Sequence, residues 1–286
     1  MTFYLTPIEG EVLVALAWAA PLATPTLRQL VAPWMTDTGL RKHLAKLSAA
    51  GLIAGQLCYR QGIGGRPERV GHVWSLTEKG EPAVPEERRP LVPAKVRGSL
   101  IDHDLVVGAL LAALVADLRP QLSGLAIERE VRLDPEKRRP ICDAVITLRW
   151  SAEHSLGGAL PWQQGRGLPE ERMRAYAVEV DRKTEPLATI QAKALAYRAI
   201  REDPTWRQRF GKPPLPLWVA PDHQRLAAIH AAWKDAWPDG RWLLLTDAEI
   251  GKLRCVQWKD GTLTRVDLGL GGSLARDLAQ AVAATI

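Results

Sequence analysis

Along the first third of the chain, apolar residues recur three times at helical spacing and then form two extended runs. Residues 6–19, TPIEGEVLVALAWA, carry a helix start signal: Thr6 as N-cap, Pro7 at the first helical position and Glu9 three residues after the cap. A second, short helix begins with the same Thr-Pro pair at Thr24. A third, from Thr36 to residue 50, places Leu40, Leu44 and Leu47 on one stripe and Arg41, Lys42, His43 and Lys46 on the other face. Gly51 is placed to end it. Extended runs 52–60 and 72–80 follow, joined by QGIGGRPERVG, a glycine-rich tip that carries Arg66 and Arg69.

Three short helices and a basic hairpin follow the plan of a winged helix-turn-helix, whose third helix enters the major groove while the wing touches backbone or minor groove. Residues 1–80 are therefore expected to bind double-stranded DNA. Thr38, Arg41, Lys42 and Lys46 fall on the groove side, and Arg66 and Arg69 on phosphates.

Residues 81–98 hold four prolines among charges and show no period, so they read as a semi-rigid connector. Beyond them the pattern changes. Ser99 caps a helix so apolar that both of its sides must be covered. Strands are expected at 125–133 and 141–150 around the turn DPEKRR, then a loop at 151–172 and a strand at 175–181. Thr184 is placed to cap the next helix. A strand (PLWVA), a helix (HQRLAAIHAAWKDA), a strand (RWLLLTD), a hairpin and a final helix from Ser273 complete the chain. This succession predicts an α/β sandwich around a mixed sheet over residues 99–286.

Bulk composition narrows the class without naming a function. A chain of 286 residues suffices for two domains, and 47% hydrophobic with 24% charged residues is ordinary for a soluble protein. No apolar run reaches membrane-spanning length, and the first residues lack a secretory signal, so a cytoplasmic location is expected. Cys58, Cys142 and Cys255 are too scattered for a disulfide framework or a zinc site and read as buried thiols. The net charge of +6 permits a polyanionic partner, and most of the basic excess lies in the first 99 residues. The eleven tryptophans are scattered and read as packing residues.

The stretch AYAVEVDRKT (175–184) raises a sharper question, because an apolar strand ends in Glu179 and Asp181 on one face, about 7 Å apart. Two like charges so placed call for a cation. Asp143, early in the preceding strand, would lie beside them, and Lys193 falls on the sheet-facing side of the next helix with Ile190 and Tyr197. Such a constellation suits metal-dependent phosphodiester hydrolysis. Carboxylates hold Mg²⁺ or Mn²⁺, the metal lowers the pKa of an attacking water, and the lysine offsets developing charge. The expected catalytic set is therefore Asp143, Glu179, Asp181 and Lys193, with Asp143, Glu179 and Asp181 as metal ligands. The plain structural reading is that these acids pair with Arg182, Arg139 or Arg198 at the sheet edge. His103-Asp104 near a helix start reads as chance or capping.

The order of Asp143, Glu179-x-Asp181 and a helix bearing Gln191, Lys193 and Tyr197 resembles the PD-(D/E)XK nuclease superfamily. The blocks HDL at 103, CDAV at 142 and AVEVDRKT at 177, with Lys193 and Tyr197, resemble more narrowly the replication-relaxation family of plasmids and other mobile elements. That resemblance implies a winged helix joined to a nuclease-like domain. Two departures stand out: Cys142 replaces the proline expected before Asp143, and Asp181 stands where an active nuclease usually has its lysine. Lys193 is the candidate replacement; Lys183, beyond the strand end, is a poorer one. The implied function is DNA binding with metal-dependent cleavage or nicking in replication, transfer or relaxation. The alternative is a non-catalytic regulator or scaffold on a degenerate nuclease fold. Expected protein partners are a relaxase, a replication initiator, another mobile-element protein, or a second copy in a homodimer.

Overall fold

The computed structural model describes residues 4–61, 67–90, 101–119, 122–133, 140–150, 162, 173–210, 212–259 and 261–268. Arg66, the cap at Ser99, the turn 134–139 and the helix from Ser273 lie outside them, as does most of the loop 151–172.

Helix α1 (Pro7–Ala19) starts as its signal requires. The Thr6 amide donates to the Glu9 carboxylate at 2.9 Å, and the Glu9 amide donates to the Thr6 hydroxyl at 3.4 Å. A two-residue strand β1 (Leu22–Ala23) leads into α2 (Thr24–Val31), where Pro25 supplies the start but Thr24 is not the cap. Its hydroxyl instead receives the Trp74 indole N–H at 2.9 Å, joining α2 to the sheet. Helix α3 (Asp37–Ala49) is capped by Thr36 and buries Leu40, Leu44 and Leu47. Gly51 ends it with φ +73°, a conformation that favours glycine. Strands β2 (Ile53–Gln61) and β3 (Pro67–Leu76) pair antiparallel, and β1 joins the outer side of β3, giving the order β1-β3-β2.

The described part of the proline-rich connector, residues 81–90, is packed against α1. Val84 is buried, Arg88 makes a two-pronged ion pair with Glu11, and the Trp18 indole N–H donates to the Arg88 carbonyl. Helix α4 (Ile101–Leu118) follows, then β4 (Leu122–Arg132), β5 (Ile141–Trp150) and β6 (Met173–Val180), all antiparallel neighbours. Helices α5 (Leu187–Glu202) and α6 (Pro204–Phe210) lead to β7 (Leu215–Ala220), and α7 (His223–Ala236) leads to β8 (Trp242–Thr246). Strands β6, β7 and β8 are parallel. The hairpin β9 (Arg254–Lys259) and β10 (Thr262–Asp267) completes a mixed seven-stranded sheet of order β10-β9-β8-β7-β6-β5-β4. Pro204 opens α6, a short helix between α5 and β7 that the sequence pattern does not announce.

Each face of the large sheet carries its own core. One cluster joins α1–α4 to Ile127, Ile146, Val178, Leu217 and Leu243, so the N-terminal unit and the sheet share a continuous hydrophobic interior. Both sides of α4 are covered, by α2 and by the sheet, as its all-round apolarity demands. The second cluster lies under α5 and α7 and is built largely from Tyr197, Trp218, Trp233, Trp237, Trp242 and Trp258. Most tryptophans are thus packing residues; Trp34, 65% exposed, is an exception. Cys58, Cys142 and Cys255 are buried thiols, as expected.

Candidate functional site

Strand β6 ends where two helices converge, and its last residues decide what that end of the sheet can do. Pairing of Ala144 with Val178 puts Asp143 alongside Glu179 on the neighbouring strand. One Asp143 carboxyl oxygen accepts the Val180 amide at 2.7 Å; the other faces His103 Nδ1 across 3.7 Å. Burial pushes the Asp143 carboxyl up, but His103, Lys193 and the Val180 amide outweigh it and hold it below the usual carboxylate range.

Glu179 is wholly inaccessible. Lys193, one helical face inward on α5, donates to Oε2 at 2.7 Å, and the Tyr197 hydroxyl donates to Oε1 at 2.8 Å. Lys193 also bridges to Glu185 at 2.8 Å and lies 5.3 Å from the centre of the Trp218 ring. Burial pushes the Glu179 carboxyl up to about 8, against the pull of Lys193. Both of its oxygens nevertheless receive donors and neither offers a proton to an acceptor, so the geometry is that of a carboxylate paired with an ammonium. Burial would lower Lys193, but Glu179, Glu185 and Asp143 hold it above the ordinary lysine range. Burial also raises the Cys142 thiol and the Tyr197 phenol, keeping both neutral.

Asp181 points to a different set of partners. Its carboxylate accepts the Thr184 amide at 3.1 Å and the Arg225 guanidinium at the start of α7; Arg225 also donates to the Glu185 carbonyl. Thr184 is therefore not the cap of α5, which begins after Pro186. Arg182 pairs with Asp247, and Lys183 pairs with Asp222 at 2.5 Å. The structure thus brings Asp143, Glu179 and Lys193 together and ties Asp181 to Arg225. Arg139 lies outside the described residues.

A divalent ion does not fit this arrangement. Mg²⁺ and Mn²⁺ need several free oxygens in an open shell, whereas both Glu179 oxygens already accept donors, one from the Lys193 ammonium and one from the Tyr197 hydroxyl. Among the described residues no group of three His, Cys, Asp or Glu side chains is arranged to hold a metal. Asp143, beside His103, and Glu185 are the partly exposed carboxylates of the cluster, with side chains 20% and 25% exposed.

The other candidate surface is α3. Thr38, Arg41 and Lys42 are exposed on it. Lys46 is committed elsewhere: it donates to the buried Glu9 carboxylate at 2.8 Å and to the Tyr4 carbonyl at 3.2 Å. His43 Nδ1 lies 3.2 Å from the other Glu9 oxygen. Burial raises Glu9, but Lys46, the Thr6 amide and His43 together bring it down to about 2. Arg28 locks the turn before α3, bonding Asp37 at 2.7 Å and the carbonyls of Pro33 and Met35. Gly39 admits Met35 so closely that a Cβ would lie 2.7 Å from its Cγ. Trp34 projects from this turn, and Tyr59 is 55% exposed on β2. The Arg69 side chain lies outside the described residues.

Sequence reasoning passed over Glu185 and Arg225, took Glu9 only for a helix-start residue, and read His103-Asp104 as chance or capping. His103 had a signal: a polar pair, His103-Asp104, opening an otherwise apolar helix that must be buried on both sides. Asp104 is indeed buried and bonds Arg129 at 3.2 Å.

These features define an α/β protein with a mixed sheet, an acidic cluster at the end of β6 and a small helical unit bearing an exposed basic helix. The family model for replication-relaxation matches residues 13–215, more than two thirds of the chain, and the chain belongs to that family. Membership associates it with replication or relaxation functions of plasmids and mobile elements. Comparisons with curated proteins and with solved structures give no match. Among the described residues no helix is long and apolar enough to cross a membrane.

Proposed function

We propose that the protein is a DNA-binding accessory factor of plasmid or mobile-element replication and relaxation, gripping duplex DNA through a winged helix-turn-helix made of α1–α3 and β1–β3. The order α1-β1-α2-α3-β2-β3 and the sheet order β1-β3-β2 support that reading. The observation that carries it is α3 itself. It buries Leu40, Leu44 and Leu47 and leaves Thr38, Arg41 and Lys42 exposed, so the helix is fixed by one face and free to enter a groove with the other. Protein partners in this reading are a relaxase or replication initiator of the same element.

The sheet is read as a PD-(D/E)XK-like scaffold in which Lys193 takes the place of a metal, fixing β6 to α5. A second reading, Mg²⁺- or Mn²⁺-dependent nicking, is favoured by the meeting of Asp143, Glu179 and Lys193, but needs Lys193 to leave Glu179 and Asp181 to leave Arg225. Anisotropy of a labelled duplex tests the first reading: affinity should fall at least tenfold in Arg41→Ala/Lys42→Ala. Supercoiled plasmid incubated with Mg²⁺ or Mn²⁺ separates the two. Persistence of the supercoiled form agrees with the scaffold, whereas nicked product lost in Asp143→Ala would establish the enzyme.

A further inference from the structure

At the opposite end of β6 from Glu179 lies a cavity of about 480 Å³, within the usual range for small-molecule sites. The first residues of β6 and β7, the last turn of α5, Phe210, residues 212–214, the turn after α7 and the end of β9 line it. Its walls hold five basic residues, Arg174, Arg201, Lys212, Arg241 and Lys259, against one acid, Asp239. That acid is 70% exposed with its Oδ2 4.0 Å from Arg201, which also lies 3.8 Å from Glu202 outside the lining. Cations converging on one small volume raise its potential and favour an anion there.

The floor is apolar. Tyr197, Phe210 and Trp237 form it, and Pro213, Pro214 and Pro216 stiffen one rim. Trp237 also has a buried indole N–H with no hydrogen-bond partner. With the Gln257 amide oriented to accept, Arg241 is held by two contacts of 3.1 Å, which orients its planar fork in advance. Part of the cavity, from Trp237 to Lys259, comes from sequence beyond the family-matched residues.

We propose that this cavity binds a nucleoside monophosphate, its phosphate held by the Arg and Lys side chains and its base resting on the aromatic and proline floor. Arginine forks match phosphate geometry, and an apolar floor under a cationic rim suits a ligand with an anionic head and a planar body. The nucleotide is either free or the 5′-phosphorylated end of a DNA strand; the chemistry of recognition is shared. The site does not depend on α3 or on the Glu179 cluster for its charge.

The test is calorimetry on the full chain with AMP, adenosine and inorganic phosphate, with Trp fluorescence as a second readout because Trp237 lines the cavity. AMP should bind at least tenfold tighter than adenosine or phosphate alone. Arg201→Glu/Lys212→Glu, at two exposed positions, should weaken AMP at least tenfold while leaving the unfolding midpoint unchanged. A variant that instead unfolds is replaced by Lys212→Ala alone, for which a threefold loss is expected. In the Arg41→Ala/Lys42→Ala background, a 5′-phosphorylated oligonucleotide that outcompetes its unphosphorylated twin identifies a strand end as the source. AMP binding without that difference identifies the free nucleotide. No AMP binding up to 10 mM (roughly the weak limit of a specific site), equal binding of AMP and adenosine, or undiminished binding by the variants overturns the proposal.

Discussion

Replacing Lys193 by Met keeps most of the side-chain stem but removes the ammonium from Glu179, which is wholly buried and would retain only the Tyr197 donor. Removing one partner of a buried pair typically costs about 3–5 kcal/mol. The carboxylate has an escape, because it can take up a proton. At pH 7 that uptake costs about 3.7 kcal/mol for a group with an unfolded pKa near 4.3, and at pH 5 only about 1 kcal/mol. The charge-related loss is therefore capped near these values, and it must shrink as pH falls. The sign follows from linkage: in the variant the folded Glu179 pKa lies far above its unfolded value, so stability is retained in acid and lost as pH rises. Urea unfolding followed by Trp fluorescence at pH 7 and pH 5 measures both losses. The double variant Glu179→Gln/Lys193→Met should recover much of the loss and show little pH dependence. A Lys193→Met loss below about 1 kcal/mol at pH 7, or an equal loss at both pH values, would refute the view that Lys193 is an internal counter-ion.

Three other perturbations probe the supports of α3 and of the β6 end. Glu9 has a folded pKa near 2 against an ordinary 4.5, so its contribution is full above the unfolded value and is lost as pH falls toward 2. Allowing for the half-exposed Lys46, acid unfolding of Glu9→Gln should lack a step on the order of 2 kcal/mol. Arg28→Ala frees the turn before α3 and should cost about 1–2 kcal/mol in urea midpoint analysis, with weaker duplex affinity; unchanged values in both would remove its anchoring role. Arg225→Ala strands the buried Asp181 carboxylate and should cost about 3 kcal/mol in thermal unfolding, partly restored by adding Asp181→Asn.

Much of the architecture was legible because it rests on local rules. The Thr6-Pro7-Glu9 cap, the Leu40-Leu44-Leu47 stripe, Gly51 and the all-round apolarity of α4 each state their structural consequence in neighbouring residues. The site was half legible. Strand alternation gives Glu179 and Asp181 one parity, and the helical period turns Lys193 and Tyr197 toward the sheet, where they meet Glu179. Parity alone could not show that Asp181, two residues on, meets the start of α7 instead of the Glu179 cluster. Arg225 lies 44 residues away and becomes its neighbour only through the parallel pairing of β6 and β7. Lys46 was misleading for a similar reason: it sits on the polar face of α3 but reaches back to a glutamate buried in α1. The connector reads as a semi-rigid linker because its prolines and charges have no period, yet Arg88 and Val84 find partners on α1 and in the core.

The salt dependence of duplex binding tests the central claim most directly. If Arg41 and Lys42 on the exposed face of α3 each neutralise one phosphate, replacing both by Ala should weaken binding and reduce the slope of log affinity against log salt by about 0.9 per contact, or about 1.8 in all. Lys46→Ala, whose ammonium is committed to Glu9, should change that slope far less than Arg41→Ala does. Equal affinity and equal slope for the wild type and Arg41→Ala/Lys42→Ala would contradict DNA recognition by α3.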